Sequence, residues 1–281
     1  MLKTIYFLCF ISLASFAKPL RIPDTSAGNI FPAVLAQEIV KRSELYDSVA
    51  YPYGAVGDVV ITKAVADLND GGLDLIWTAT SAERELELTA IYFPIFRGII
   101  GMRLGIIKQQ NRQRFSQVNS WDEMREYIPC QGKLWADTAI LEANGVKVAK
   151  SLGYPNIFAM VEAERCDYFP RGIFEPWGEL QREAQYNLTV DPYVMLRYKM
   201  PLLFFVKKDN QHLAEHLYGI LQQMFEDGSY QALFLNHPDV KNALQQGQLA
   251  QRRIFDLDNP YLTEKVRAIP QEFWFDPVVG N

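Results

Sequence analysis

The sequence predicts an α/β protein of two lobes, with the second lobe inserted into the first. Short apolar stretches that suit buried strands alternate with amphipathic or capped segments that suit helices, a pattern typical of α/β units. The chain has 281 residues, 49% of them hydrophobic, which is enough for one large or two medium domains. Strands predicted at 104–107 and 198–203 lie at the two seams of this pattern. We expect them to be the crossings between the lobes.

The N-terminus predicts export. Residues 1–17 combine an early charge, Lys3, with an apolar stretch at 5–13 and a small-residue exit that ends at Ala17. This is the pattern of a cleaved secretory signal peptide, and its apolar stretch is too short to span a bilayer. Cys9 lacks the small residue before it that a lipid-attachment site would need. We therefore expect an exported, soluble mature protein in the periplasm.

The first lobe is predicted from residues 18–106 together with 200–281. Its elements are predicted as strands at 20–23, 73–77 and 201–206 and as helices at 31–43, 61–68 and 212–225. The last of these helices has the most regular apolar stripe in the chain, formed by Leu213, Leu217, Ile220, Leu221 and Met224. Such a stripe indicates a helix face packed on a core.

The second lobe is predicted from residues 107–199. Ser120 and Glu123 form a capping box that predicts a helix start, and Asn144 before a glycine predicts a helix stop. Further elements are predicted as strands at 133–136, 157–161 and 166–169, a helix from 137 to 144, a helix-like stretch at 146–152 and a helix from 175 to about 186.

Charge and cysteine content narrow the classes of function. Without the predicted signal peptide the chain has 27 basic and 33 acidic side chains, a net charge of −6. Nucleic-acid-binding surfaces are normally basic, so we expect no nucleic-acid partner. Cys130 and Cys166 remain, and in an oxidising compartment such a pair forms a disulfide if the strands beside them are neighbours. The alternative is two separate buried thiols.

A candidate binding site follows the predicted strand at 73–77. Thr78, Thr80 and Ser81 come directly after it, and Arg84 lies one helical turn further on. Ligands of open α/β sheets bind at the carboxyl ends of strands, and a guanidinium with hydroxyls suits a small carboxylate. The alternative is a Ser or Thr helix cap followed by a surface arginine.

Four motifs, taken in order, resemble a known family. They are Asp74 with the TATSAER segment at 78–84, the Phe93-Pro94 turn, the GKLWADT segment at 132–138, and the apolar strand at 201–206 that leads to an amphipathic helix. This set resembles the type II periplasmic solute-binding proteins, in the polar amino-acid-binding branch (bacterial extracellular solute-binding family 3). The resemblance implies an α/β, two-lobe periplasmic-binding-protein type II fold with two crossover hinge strands.

The resemblance also implies roles for individual residues in the first lobe. A cleft between the lobes would close on a small polar carboxylate, most plainly an amino acid, with Arg84 as the clamp and Ser81 as a hydroxyl contact. Another hydroxyl of the family falls at Ala79, which cannot hydrogen-bond. Either Thr78 or Thr80 replaces it through a local shift, or that contact is absent.

In the second lobe the resemblance places Asp137 and Thr138 on the ligand, although Asp137 also suits a helix N-cap. Arg171 lies where family members often have an acidic residue that binds the α-amine. It would receive a second anionic group, or it pairs with Glu175 and is structural. Trp135 ends a predicted strand near the cleft and would stack on the ligand or pack in the core.

Three other functions have less support in the sequence: a zinc protease, another enzyme, and the ligand domain of a receptor kinase. His212, Glu215 and His216 match an inverted zinc-protease motif, but the histidines flank a packed stripe, so we expect no metal and no cofactor. Enzymes such as dehydratases acting on small cyclic acids share the fold, and the same fold serves as the ligand domain of receptor kinases. We expect a monomeric binding protein without catalytic residues, whose partner is a membrane permease or a receptor kinase.

Overall fold

The computed structural model describes residues 18–24, 30–54, 59–276 and 278–280. The predicted signal peptide, residues 1–17, lies outside the described residues. The described chain is a mixed α/β structure. Its strands are β1 (Lys18–Arg21), β2 (Tyr46–Ala50), β3 (Ile76–Ala79), β4 (Thr89–Ile91), β5 (Met102–Lys108), β6 (Cys130–Gly132), β7 (Ala149–Ser151), β8 (Phe169–Gly172), β9 (Leu188–Val190), β10 (Val194–Arg197), β11 (Leu202–Val206) and β12 (Arg253–Asp256).

The α-helices vary from one turn to more than four turns. They are α1 (Phe31–Val40), α2 (Ile61–Asn69), α3 (Ala82–Glu87), α4 (Trp121–Met124), α5 (Ala136–Ala143), α6 (Tyr154–Glu162), α7 (Pro176–Arg182), α8 (Gln211–Glu226), α9 (Ser229–Asn236), α10 (Pro238–Gly247) and α11 (Glu264–Arg267).

The largest hydrophobic cluster is built mainly from the two ends of the chain. In it β11 lies between β3 and β4 and is antiparallel to both, while β1 and β2 form a separate parallel pair. The apolar stripe of α8 packs into the same cluster through Leu213, Leu217 and Leu221, all buried. Burial of this stripe is what holds the helix against the core.

Two smaller clusters lie in the middle of the chain. One contains Ile107, Phe115 and Leu141, and the other contains Cys130, Phe158 and Phe169. Strand β5 connects the regions because it pairs antiparallel with β8, β9 and β10. One strand from the C-terminal part, β12, pairs parallel with β10, and its Phe255 packs in a middle cluster. The lobe boundaries at 106/107 and 199/200 stay a prediction.

The segment that leads into the first predicted crossing contacts the start of the second. The backbone N–H of Tyr198 donates to the carbonyl oxygen of Gly101, 3.1 Å away, and a Cβ on Gly101 would overlap the Tyr198 carbonyl oxygen. Glycine is therefore required where these backbones approach. The hinge positions themselves stay a prediction.

Three predicted elements of the second lobe are wrong. Residues 133–136 are not a strand, because they form the turn after β6 and the first residue of α5. Residues 157–161 lie in helix α6, not in a strand, since Ile157, Phe158 and Val161 are buried at helical spacing while Ala159 and Met160 are half-exposed. The stretch at 146–152 contains strand β7 rather than a helix, because it pairs in parallel with β6. Tertiary pairing overrides the local preference there. Strand β2 was not predicted at all.

Cys130 and Cys166 form a disulfide in this structure, with their Cα atoms 5.5 Å apart. The residues beside them, Pro129 and Tyr168, form a parallel bridge, and Cys130 N donates to Tyr168 O at 2.8 Å. The disulfide therefore links the start of β6 to the segment that enters β8.

Replacing both cysteines by serine should lower the free energy of unfolding by about 3–4 kcal/mol, because the bond closes a loop with a sequence separation of 36 residues. Urea unfolding of the wild type and the double variant measures this. As the control, dithiothreitol should destabilise the wild type and leave the variant unchanged. A variant as stable as the oxidised wild type would contradict the assignment.

Asp191 is a fully buried carboxylate between β9 and β10. Its Oδ2 accepts the backbone N–H groups of Tyr193 (3.1 Å) and Val194 (2.8 Å), while Oδ1 accepts no bond from the described residues. Burial raises the pKa of Asp191 to about 6, although these bonds and Arg252 oppose the shift. A folded-state pKa above the unfolded value means that stability falls as the pH rises through about 6.

The variant Asp191→Asn cannot ionise and should lose this pH dependence. As the pH rises from about 4 to about 8, the wild type should lose about 3 kcal/mol of unfolding free energy relative to the variant. Urea unfolding at several pH values measures it, with equal m-values as the check that the same surface unfolds. Parallel pH profiles for the two proteins would contradict the prediction.

Candidate functional site

The first-lobe candidates lie at the junction of β3 and α3. Ser81 is the N-cap of α3, and its Oγ accepts the backbone N–H of Arg84 at 3.2 Å. The Arg84 side chain pairs with Glu87 one turn later, at 2.8 Å. Thr80 donates its hydroxyl to Glu85 at 2.7 Å, and Thr78 faces Leu203 in the ladder with β11. These contacts fit the capping alternative, and among the described residues the Arg84 guanidinium is bonded to Glu87 alone.

The second-lobe candidates gather at the start of α5. Trp135 is its N-cap residue, and the ring packs so closely on Gly132 that a Cβ there would lie 2.5 Å from the indole. Thr138 is buried and donates its hydroxyl to the Gly132 carbonyl at 2.7 Å. Asp137 is also buried and pairs with Arg103 at 2.8 Å, with Tyr198 donating its hydroxyl to the same carboxylate.

Arg171 lies on β8, is only 8% exposed, and is held on one edge by carboxylates. Its Nε donates to both oxygens of Glu179 at 2.9 Å, and its Nη2 reaches Glu179 at 2.7 Å as well as Glu175. The faces of the guanidinium contact aromatic rings, with Trp135 at 5.1 Å and Phe169 at 4.9 Å. Bidentate pairing with stacking fixes the orientation of an arginine.

Arg103 joins these groups, and the sequence analysis did not single it out. It lies on β5 and is 6% exposed. It pairs with Asp137 at 2.8 Å and with Glu175 at 3.6 Å, and its Nε donates to the Tyr198 hydroxyl at 2.9 Å. A signal was present, since an arginine beside the apolar run at 104–107 must find partners if it is buried. We call Arg103, Asp137, Arg171, Glu175, Glu179 and Tyr198 the ion cluster.

The electrostatics of the ion cluster are unbalanced, with three carboxylates against two guanidiniums. Burial raises the pKa of Glu175, and its neighbour Glu179 adds to this, while Arg171 and Arg103 oppose the shift. Burial also raises the pKa of the Tyr198 hydroxyl well above its usual range. Tyr198 therefore stays neutral and acts as a hydrogen-bond donor to Asp137.

The structure brings Trp135, Asp137 and Arg171 into one neighbourhood, and Thr138 belongs to the same turn. No hydrogen bond or ion pair within residues 18–24, 30–54, 59–276 and 278–280 joins this group to Thr78, Thr80, Ser81 or Arg84. The predicted site therefore consists of two separate groups. We call the first-lobe group (Thr78, Thr80, Ser81 and Arg84) the first wall and the second-lobe group (Trp135, Asp137, Thr138 and Arg171) the second wall.

Of the zinc-motif residues, His212 and Glu215 are exposed and His216 is half-buried. His216 Nε2 lies 2.8 Å from the Ser43 hydroxyl, and burial lowers the pKa of this histidine. Among the described residues no group of three or more His, Cys, Asp or Glu side chains is arranged to hold a metal ion. No helix in the described part of the chain has both the length and the apolar character to cross a membrane.

Comparison with known proteins shows the fold. No protein-family model matches the chain, and no curated protein sequence matches it. Among solved structures, the probable amino-acid ABC transporter extracellular-binding protein YtmK from Bacillus subtilis is similar, with a TM-score of 0.55 and 15% identity over 80% of this chain and 99% of that one.

Two further structures are similar at the same level. An ancestral arginine-binding protein bound to arginine has a TM-score of 0.50 and 16% identity, covering 78% of this chain and 98% of that one. A structure from work on glutathione import via GshT and the cystine ABC importer TcyBC of Streptococcus mutans has a TM-score of 0.51 and 14% identity, covering 80% and 99%. The chain thus has the two-lobe fold of extracellular solute-binding proteins, which confirms the predicted fold class.

Glu179→Gln should lower the free energy of unfolding by about 3–5 kcal/mol, because it removes a negative charge that compensates the buried guanidinium of Arg171. Glu87→Gln is the matched control, since it breaks an Arg–Glu pair on a surface helix and should cost about 0–1 kcal/mol. Urea unfolding of both variants gives the comparison. Equal losses for the two would show that the ion cluster is not a buried ionic unit.

Proposed function

We propose that this chain is an exported solute-binding protein that closes two lobes around a small polar carboxylate, an amino acid or a related compound. The observation that carries the proposal is the convergence of Trp135, Asp137 and Arg171 in one buried neighbourhood at the ends of β6 and β8. Ligands of α/β sheets bind at such strand ends. The two-lobe fold supplies a seam in which a solute can be enclosed.

Arg171 is the proposed anion contact in the second lobe. Glu179 and Glu175 occupy its Nε and Nη2 atoms, while its Nη1 makes no hydrogen bond to a described residue. A guanidinium held on one edge keeps a donor for an incoming carboxylate oxygen and loses little entropy on binding. Asp137 and the Glu175 carboxylate supply acceptors for an ammonium group nearby.

Arg84 is the proposed contact from the first lobe, with Ser81, Thr80 and Thr78 as hydroxyl neighbours. Its Nη1 pairs with Glu87 in a partly exposed ion pair, and such pairs are weak enough to be exchanged for a ligand carboxylate. We infer that the two walls approach each other when the solute binds, with bending at 104–107 and 198–203.

Arg103 gives the second wall a link to the crossings. It extends from β5 to Asp137 and to the hydroxyl of Tyr198, which follows β10. A ligand that reorganises Asp137 or Arg171 therefore acts directly on residues of the inferred hinge. In this proposal the protein is a monomer in the periplasm that does not catalyse a reaction. It delivers its solute to a membrane permease or presents it to a receptor kinase. Turnover of a small cyclic acid by the purified protein would replace it with an enzymatic function.

Arg84→Ala and Arg171→Lys should each weaken binding of the cognate carboxylate about 10–100-fold, since each removes a charge-assisted hydrogen bond worth about 1.5–3 kcal/mol. A thermal-shift screen of amino acids and small dicarboxylates identifies the ligand, because binding to the native state raises Tm. Isothermal titration calorimetry then measures each variant.

The control is Arg125→Ala, which removes a surface arginine paired with Asp122 on α4. It should bind like the wild type. Unchanged affinity in Arg84→Ala would remove the first-lobe contact from the proposal, and the absence of any stabilising carboxylate would overturn the proposed ligand class.

A further inference from the structure

A cavity of about 470 Å³ lies beside the second predicted crossing. It is lined by the ends of β10 and β12 and by the segment that follows β12, residues 257–276. Two ion pairs border it, Arg197 with Asp256 and Arg267 with Asp258. A cavity of this size is within the range of small-molecule sites.

The cavity and the ion cluster lie on opposite faces of the sheet. Met102 on β5 and Arg197 on β10 are paired across the ladder, and both line the cavity. The residues that follow them, Arg103 and Tyr198, direct their polar groups into the ion cluster instead. Successive side chains of a strand point to opposite faces, so the sheet stands between the two groups. Tyr198 borders both, and no residue of the first or second wall is among the described residues that line the cavity.

Lys199 brings an amino group without a counter-charge to this cavity. It lies two residues beyond Arg197, which places the two on the same face, and its amino group stands over the Trp274 ring, 4.8 Å from the centroid. Arg197 and Arg267 each pair with an aspartate, whereas no carboxylate of the described residues forms an ion pair with Lys199. The cavity therefore offers a cation to an incoming group.

Trp274 adds a second donor. Its side chain is 8% exposed and lines the cavity, and it packs so closely on Gly98 that a Cβ there would overlap the ring. Its Nε1 makes no hydrogen bond to a described residue. A buried N–H group without an acceptor is unfavourable, so a ligand that supplies an acceptor removes that cost.

We propose that this cavity is a second binding site, for a small organic anion that carries one carboxylate or phosphate group on an apolar body. The anionic group accepts from Lys199 and from the indole N–H of Trp274, and the apolar body contacts Met102, Leu257 and Leu262, which also line the cavity.

The charges of the lining select against other ligands. Four basic and three acidic side chains are among the described residues that line the cavity. A neutral ligand would leave Lys199 without a counter-charge, and a cation would be repelled by the basic excess. This inference does not depend on the ligand of the proposed function.

Benzoate, phenyl phosphate and benzamide are the probes. The first two join an apolar ring to an anionic group, and benzamide has the same ring without a charge. Lys199→Gln removes the positive charge of the cavity and Lys199→Arg keeps it. Lys207→Gln is the matched control, because Lys207 is an exposed lysine that follows β11 and does not line the cavity.

Saturation-transfer NMR and calorimetry should detect benzoate or phenyl phosphate on the wild type, on Lys199→Arg and on Lys207→Gln. The affinity should fall about tenfold or more in Lys199→Gln, because a charge-assisted hydrogen bond is lost. Benzamide should bind the wild type at least about tenfold more weakly than the better anion, for the same reason. The anion that binds more tightly identifies the preferred group.

Equal affinity of the anions for the wild type and Lys199→Gln would overturn the inference, as would benzamide binding as tightly as the anions, or no anion binding at all. Arg84→Ala separates the two proposals, since it should bind the anions like the wild type. Loss of anion binding in Arg84→Ala but not in Lys199→Gln would place the anion in the proposed carboxylate site and overturn this one. Failure of the amino-acid screen alone would overturn only the proposed function.

Discussion

The burial of Arg103 is the constraint on which the region between the two predicted lobes depends. A guanidinium that is 6% exposed must be surrounded by acceptors, and here they come from three separate parts of the chain: Asp137, Glu175 and Tyr198. The fit is close enough that a Cβ on Gly172 would lie 2.9 Å from both Arg103 and Glu175. The charge of Arg103 on β5 therefore fixes the start of α5 through Asp137 and the start of α7 through Glu175. It also fixes the predicted crossing at 198–203 through Tyr198.

The same arrangement separates polar from apolar surroundings along a short stretch of chain. Between Arg171 and Gln181 the chain supplies two carboxylates to the ion cluster on one side. On another side four side chains line a mainly apolar cavity: Ile173, Phe174, Trp177 and Gln181. Helix α7 has only seven residues, so its position is set by what packs on its two sides more than by its own propensity.

Sequence patterns were sufficient for the fold class and for most of the first lobe, where long periodic segments such as α8 leave little ambiguity. They failed at 133–136, 146–152 and 157–161, where short runs suit either element. At 146–152 the pairing of β7 with β6 decided the outcome. The pattern around Trp135, Asp137 and Arg171 located a real cluster, but it did not show Arg103, which is distant in sequence. It also did not show Glu179, which lies one helical turn beyond Glu175 and holds Arg171 together with it. The apolar cavity left no signal, since its walls read as ordinary core residues until the two regions meet.

The covalent link between Cys130 and Cys166 has a consequence for how the protein is prepared. It fastens the start of β6, which leads to Asp137 on α5, to the segment that enters β8, where Arg171 lies. In material made in a reducing cytoplasm this bond would be absent, and noncovalent contacts alone would hold the second wall. The production route therefore decides which set of conformations of this wall is present when an affinity is measured. Affinities from oxidised and reduced preparations are properties of two different ensembles.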